Sequence, residues 1–189
     1  MDRRHFLSIS GVAAAGGLAG CTAYGRPAKL TGELDEEGRN TILRFPKDGE
    51  DVLRVQVIRQ YADDAELAHY PFFIATWQPD GIRVDSLELH FRSPSHTDGF
   101  TPAGISLREG AHAAYATIRR DDPDPSTTIV NLPDTEDIGQ GSVRVDLLLA
   151  RDTQQDPQEL WIRADASLSG DGFIRDGYRA RGQFTMTVP

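Results

Sequence analysis

The sequence predicts an all-β domain, built as an antiparallel two-sheet β-sandwich, and three observations carry this prediction. Apolar and polar residues alternate with a period of two along most of the chain from Leu30 onward, as in half-buried strands. Turn signals rich in Gly, Pro and Asp separate these runs at short intervals. Because no more than one helical turn lies between the runs, neighbouring strands are expected to pair antiparallel and to bury their apolar faces against a second sheet.

The predicted strands are short and end at the turn signals. Several alternate strictly, and the others are rich in β-branched and aromatic residues. Residues 61–69, where Ala and Leu cluster, are the one candidate for a helical turn. An Ig-like or similar sandwich accommodates strands of this length and spacing. The strands are predicted at residues 41–45, 53–57, 72–77, 82–91, 113–119, 127–132, 143–149, 160–168 and 180–188.

One of these strands, residues 82–91, changes the phase of its alternation. Val84 belongs to one apolar set and Leu87 begins the next, with Asp85-Ser86 between them. A single inserted residue keeps both sets on the core side, so we predict a β-bulge there. Two short strands joined by a kink are the alternative.

The charge of the chain is acidic, which disfavours two classes of partner. The whole chain carries 20 basic and 29 acidic side chains. Without the first 20 residues, which include Asp2, Arg3 and Arg4, 18 basic and 28 acidic groups remain, a net charge of −10. Nucleic acid needs a basic patch, and an anionic membrane surface repels such a protein, so the sequence predicts neither as a direct partner of the folded domain.

The choice of charged residues is itself unusual. Lys29 and Lys47 are the only lysines, and Asp outnumbers Glu. In this the chain resembles proteins of halophilic archaea, whose surfaces carry many carboxylates and few lysines. A GC-rich bacterial genome is the alternative source of the same bias.

The amino terminus has the layout of a removable export signal. Arg3 and Arg4 are followed, after one residue, by Phe6 and Leu7. This arrangement resembles the twin-arginine export signal. Residues 8–17 are too short and too weakly apolar to span a membrane, which takes about 20 mostly apolar residues, and a charged start before an apolar stretch is typical of a cleaved signal.

The only cysteine of the chain closes this segment. Leu18, Ala19, Gly20 and Cys21 resemble the lipobox of exported lipoproteins, an aliphatic residue and two small residues before a cysteine. The resemblance implies that Cys21 is acylated and becomes the first mature residue, on the outer face of the cytoplasmic membrane. We therefore expect a signal at residues 1–20, a lipidated tether at 21–29 and a single sandwich domain at 30–189. A lone cysteine also means that the domain has no internal disulfide.

The histidines show no pattern typical of a metal or catalytic site. His69, His90, His96 and His112 include no i, i+2 or i, i+4 pair. His90 falls in the outward phase of its strand and His96 in a Ser/Pro loop. We expect all four to be surface or loop residues.

Other candidate chemistry is weak as well. Asp121, Asp122 and Asp124 could offer oxygen atoms to a calcium ion, but they lack the EF-hand spacing, and a solvated acidic turn is the favoured alternative. The chain contains neither a Gly-x-Ser-x-Gly elbow nor a glycine-rich phosphate loop. The sequence therefore predicts no cofactor and leaves enzymatic activity open, leaning against it.

Two tryptophans are candidates for a binding surface. Trp77 lies at the end of a predicted strand, and Trp161 lies in the polar phase of another. An outward-facing Trp can bind a sugar or a protein partner, although partial cover of the sheet by a loop would explain Trp161 equally well.

The sequence thus favours a lipid-anchored, non-catalytic binding module outside the cytoplasmic membrane. Its partner would be an unidentified protein or a surface polymer. An exported hydrolase with a loop-built active site, or a small solute-binding lipoprotein, is the alternative.

Overall fold

The computed structural model describes residues 27–60, 69–94, 99–110, 113–133, 143–150, 158–170 and 177–188. These residues form thirteen strands and one short 3-10 helix, Ala113–Tyr115. The strands are β1 Ala28–Thr31, β2 Glu33–Glu37, β3 Asn40–Lys47, β4 Glu50–Arg59, β5 His69–Trp77, β6 Ile82–Pro94, β7 Phe100–Pro102, β8 Ile105–Leu107, β9 Thr117–Arg120, β10 Thr128–Pro133, β11 Arg144–Ala150, β12 Gln158–Gly170 and β13 Gly177–Val188.

The strands form two sheets, as predicted. The seven-stranded sheet has the order β1-β13-β12-β6-β10-β9, and β7 pairs with the end of β6 beyond β10. The six-stranded sheet has the order β2-β3-β4-β5-β11-β8. The described pairs are antiparallel except β1 with β13, which is parallel. The prediction of an antiparallel two-sheet sandwich is therefore confirmed, with one parallel edge strand added.

The inward residues of the two sheets make a single core. Phe72 on β5 of one sheet and Phe91 on β6 of the other are both fully buried. Their rings meet edge to face, with centroids 6.2 Å apart. Long alternating strands such as β12, in which every second residue is buried, supply the rest of the core.

The predicted bulge is also present. In the ladder between β12 and β6, Ser167 pairs with Ser86 but Leu168 pairs with Val84, so Asp85 is the extra residue. Its carboxylate accepts a hydrogen bond from Ser169 Oγ at 2.7 Å. The insertion keeps the apolar residues on both sides of it in the core.

Three predicted boundaries differ from the structure. Residues 113–119 were expected to be one strand, but they begin with the 3-10 helix, and only β9, from Thr117, is extended. The apolar residues at 113–116 are mostly alanine, which has little preference for a strand. Ala28 and Lys29, expected at the end of the tether, lie in β1. Of the expected helical turn at 61–69, residues 61–68 lie outside the described part, and His69 begins β5.

Candidate binding face of the seven-stranded sheet

The outer surface of the seven-stranded sheet carries rows of polar side chains. We call the outward residues of β1, β13, β12, β6, β10 and β9 the polar face. Because side chains alternate along a strand and paired residues share a face, residues in register form rows across the strands. One such row is Lys29, Arg179, Ser167 and Ser86.

The adjacent row on the polar face is rich in charge. It runs through Thr31, Arg181, Asp165 and Glu88, on β1, β13, β12 and β6. Asp165 forms ion pairs with Arg181 on the next strand and with Arg163 Nε, the latter at 2.9 Å. This carboxylate is therefore neutralised from two sides.

An open groove of about 810 Å³ runs over these two rows. Both signs of charge, hydroxyl groups and an amide face the groove, and regular strands hold all of them in place. Its lining residues are Lys29, Leu30, Thr31, Gly32, Ser86, Glu88, Asp165, Ala166, Ser167, Arg179, Ala180, Arg181, Gly182 and Gln183.

Beside the groove, His90 corrects the expectation that all the histidines lie on the surface. It points outward, as its phase predicted, but only 4% of it is exposed. Strand β6 lies in the middle of the sheet, so Arg163 on β12 and Ile129 on β10 flank it. Both ring nitrogens of His90 lie 3.1–3.3 Å from Arg163 Nη2. Alternation gives the direction of a side chain, whereas burial depends on these cross-strand neighbours.

The environment of His90 favours its neutral form. Burial lowers the pKa of the imidazole, and the guanidinium of Arg163 lowers it further. The carboxylates of Glu88, Asp165 and Asp121 act in the opposite direction, but the net shift of the pKa is downward.

At the other end of the polar face, Trp161 lies in a cluster of aromatic and arginine side chains. The Arg92 guanidinium lies 4.7 Å from the Trp161 ring centroid and 5.6 Å from that of Phe100. The two rings are 6.2 Å apart. Trp161 is half-buried in this cluster, whereas Phe100 is 43% exposed. Phe100 on β7 thus covers part of the Trp161 ring. Both Phe100 and Trp161 contribute to the exposed aromatic surface.

The acidic turn after β9 is stabilised by hydrogen bonds and an ion pair of Asp124. Asp124 accepts hydrogen bonds from Ser126 N at 3.1 Å, from Ser126 Oγ and from Thr127 Oγ1, and it pairs with Arg92. The Ser126 hydroxyl is the main cause that lowers the pKa of Asp124. Asp121 and Asp122 lie in the same turn. Within the described ranges, no three His, Cys, Asp or Glu side chains come close enough together to hold a metal ion.

The remaining predicted residues are not brought to this face. Trp77 ends β5 in the six-stranded sheet, is 43% exposed, and has the guanidinium of Arg54 4.7 Å from its ring centroid. The two tryptophans therefore belong to different sheets. His69 is exposed at the start of β5. The following predicted site residues lie outside the described part of the chain: Arg3, Arg4, Phe6, Leu7, Leu18, Ala19, Gly20, Cys21, His96 and His112.

Sequence reasoning missed the groove itself. The end of the groove at Lys29 and Arg179 depends on the pairing of β1 with β13, which joins residues about 150 positions apart in the chain. Strand β1 is only four residues long and has one buried position, so alternation does not identify it. The excess of arginine over lysine was visible in the sequence, but the position of arginines on this face was not.

In the residues that the structure describes, no helix has the length and apolar character needed to cross a membrane.

Comparison with known proteins identifies a family. A family model described as "Domain of unknown function (DUF8121)" matches residues 29–189. No curated protein matches the chain in sequence.

Solved structures similar to the chain include the following three. The collagen-binding domain of a Staphylococcus aureus adhesin is 13% identical, with a TM-score of 0.35 over 64% of this chain and 87% of that chain. A type I cohesin of Pseudobacteroides cellulosolvens is 11% identical, with a TM-score of 0.38 over 65% and 84%. AggA, the major subunit of aggregative adherence fimbriae type I of Escherichia coli, is 11% identical, with a TM-score of 0.41 over 72% and 92%. Similarities at this level do not indicate a function.

Proposed function

The chain belongs to the DUF8121 family, and we propose that it is a lipid-anchored, non-catalytic binding module on the outer face of the cytoplasmic membrane. The polar face carries the proposal, because an open groove of about 810 Å³ lies there over regular, paired strands. Side chains held on paired strands keep a fixed geometry, which is what a binding surface needs. The charged, hydroxyl and amide lining suits a ligand with polar groups, because such groups lose free energy against an apolar surface.

The position of the fold relative to Cys21 supports the anchored location. The first strand begins at Ala28, seven residues after the lipobox cysteine. An extended chain of that length spans no more than ~25 Å. A domain tethered in this way stays close to the bilayer, and two acyl chains at Cys21 would hold it there, since each buried methylene contributes about 0.8 kcal/mol.

Membrane fractionation tests the anchor. The wild-type chain is expected in the membrane fraction, and Cys21→Ser is expected unprocessed or released, because a hydroxyl cannot take the place of the acylated thiol. Thr22→Ser, which leaves the lipobox intact, is the matched control and should behave like wild type. Wild-type protein recovered in the soluble fraction would overturn the anchor.

Site-directed photo-crosslinking on native membranes tests the binding face. A photoreactive residue replaces Gln183, which lines the groove, or Gln56, which lies on β4 of the other sheet. We expect a discrete adduct from position 183 and none from position 56. Equal labelling at both positions, or none at position 183, would show that the polar face is not the binding surface.

A further inference from the structure

One end of the groove carries two positive charges that no described residue of the chain neutralises. Lys29 on β1 and Arg179 on β13 are paired residues of neighbouring strands, so they lie side by side on the polar face. Both are exposed. Neither side chain has an ion-pair or hydrogen-bond partner within the described ranges of the chain. Like charges directly opposite one another on neighbouring strands destabilise a sheet, so this arrangement needs a reason in a protein of net charge −9.

The two carboxylates of the groove do not relieve this repulsion. Asp165 is bound by Arg181 and Arg163, as described above. Glu88 accepts from Arg119 Nη2 at 3.0 Å and lies 3.4 Å from His90 Nε2. Each acid therefore already has its own cationic partner, Arg181 and Arg163 for Asp165 and Arg119 for Glu88. Among the described residues, the groove keeps a local positive end although the chain as a whole is acidic.

Hydrogen-bonding groups continue from this basic end along the groove. Ser167 and Ser86 extend the row of Lys29 and Arg179. Thr31 lies in the next row, and Gln183 lines the groove one row further on. Hydroxyls both donate and accept, and the amide of a glutamine does the same. This combination matches a ligand that carries anionic groups together with many hydroxyls.

We propose that the groove binds an anionic polysaccharide, with a carboxylate or sulfate of the polymer between Lys29 and Arg179 and its sugar hydroxyls on Ser86, Ser167, Thr31 and Gln183. The inference rests on the proposed function and names the ligand class of its binding face. An extended acidic peptide that binds by strand addition needs free backbone groups at a sheet edge. Among the described strands that line the groove, only β1 lies at an edge, whereas β13, β12 and β6, which carry Arg179, Ser167 and Ser86, are already paired on both sides. The row that carries the hydroxyls therefore offers a peptide no free backbone groups.

Binding to defined polymers tests the inference. The full chain carrying Cys21→Ser is titrated with polygalacturonate, with neutral dextran and with polyglutamate, and affinity is measured by calorimetry at two salt concentrations. We expect binding to polygalacturonate, no detectable binding to dextran and at least tenfold weaker binding to polyglutamate. Affinity for polygalacturonate should fall with salt, as for any site that neutralises a polyanion.

Charge-removing variants locate the site. Lys29→Gln together with Arg179→Gln should weaken polygalacturonate binding at least tenfold and flatten its salt dependence. Arg39→Gln is the matched control, because Arg39 is an exposed arginine in the turn between β2 and β3 on the other sheet. Ser167→Ala should weaken polygalacturonate binding without affecting the response to salt.

Thermal unfolding without ligand provides a readout independent of binding. Without ligand, removal of one charge of the pair should leave Tm unchanged or raise it, because the repulsion is lost. In a second measurement, with polygalacturonate present, the Tm of the parent protein should rise. Equal affinity of the parent and the double variant, or equal affinity for polyglutamate and polygalacturonate, would overturn the inference. Failure to bind any of the three polymers would also overturn it, while crosslinking from position 183 would still support the binding face.

Discussion

Gly32 and Gly182 lie against each other beneath Leu43, and neither position has room for a side chain. A Cβ on Gly182 would lie 2.7 Å from Leu43 Cδ2 and 3.0 Å from the Cα of Gly32. This close approach occurs where the chain leaves β1 in one sheet and enters β2 in the other. The amide of Gly32 donates a hydrogen bond to the carbonyl of Arg181 at this crossing. The two glycines thus allow β1, which carries Lys29, to pack as the edge strand of the polar face.

Gly182→Ala is expected to destabilise the domain by about 1–3 kcal/mol, the usual cost of overpacking a core. Leu43 is 1% exposed and cannot move its methyl groups into solvent, so the strain must spread into the backbone of β1 and β13. Urea denaturation measures the free energy of unfolding. Thr187→Ala, an exposed change on the same strand, should stay within about 0.5 kcal/mol of wild type. A Gly182→Ala protein as stable as that control would show that the two strands are not held so close.

Phe91→Ala is expected to cost about 3–5 kcal/mol, because the ring is fully buried and its removal leaves a cavity between the sheets. Phe72 faces it from the other sheet, so the two rings should be coupled. In a double-mutant cycle with Phe72→Leu and Phe91→Leu, the double variant should be destabilised by about 0.5–1.5 kcal/mol less than the sum of the two single changes. Strict additivity would mean that the edge-to-face contact contributes nothing beyond burial.

The alternation of residues was enough to predict the sandwich and its bulge at Asp85. Both follow from local chemistry, since a period of two places each side chain on one face and a phase change requires an extra residue. The direction of His90 was predicted by the same rule, but its burial was not. Burial comes from Arg163 and Ile129, which β6 meets only through long-range pairing.

The groove shows the limit of prediction more clearly. Lys29 was expected at the end of the lipidated tether, and Arg179 precedes the last predicted strand, residues 180–188. Their proximity comes from a parallel pair between the first and the last described strands. No local propensity encodes a contact of that sequence separation. The export signal and lipobox are the reverse case, since short motifs indicate them without any reference to the fold.

Asp51→Asn is expected to lower stability at neutral pH by about 1–3 kcal/mol through its lost charge-assisted hydrogen bonds. The carboxylate is almost fully buried and accepts from Arg44 Nε at 3.0 Å and from Arg54 Nε at 2.5 Å. Burial alone would raise its pKa, but the two arginines outweigh burial and lower the pKa below the ordinary value. The stabilising effect is therefore complete above the unfolded-state pKa of about 4 and is lost as the pH falls through the lower folded-state pKa.

The difference in the free energy of unfolding between wild type and Asp51→Asn should accordingly shrink when unfolding is measured at pH values from 7 down to 2. Asp48→Asn is the control, because Asp48 is exposed in the β3–β4 turn at φ 52°, a conformation that Asn tolerates as well. A difference between wild type and Asp51→Asn that stays constant down to pH 2 would contradict the ion pairs.

His90 is expected to make the domain less stable as the pH falls below about 6.5, the ordinary pKa of histidine. Burial and Arg163 lower the pKa of His90 in the folded protein, so the unfolded chain binds the proton more readily. The contribution of His90 to the free energy of unfolding is therefore complete above the unfolded-state pKa, and it is lost as the pH falls towards the folded-state pKa. His90→Gln should remove this part of the pH dependence between pH 7 and 5, and His69→Gln, a change at an exposed position, should retain it. If Glu88, Asp165 and Asp121 prevailed over burial instead, wild type would gain stability on acidification in the same range, and an NMR titration of the His90 imidazole would show a raised pKa.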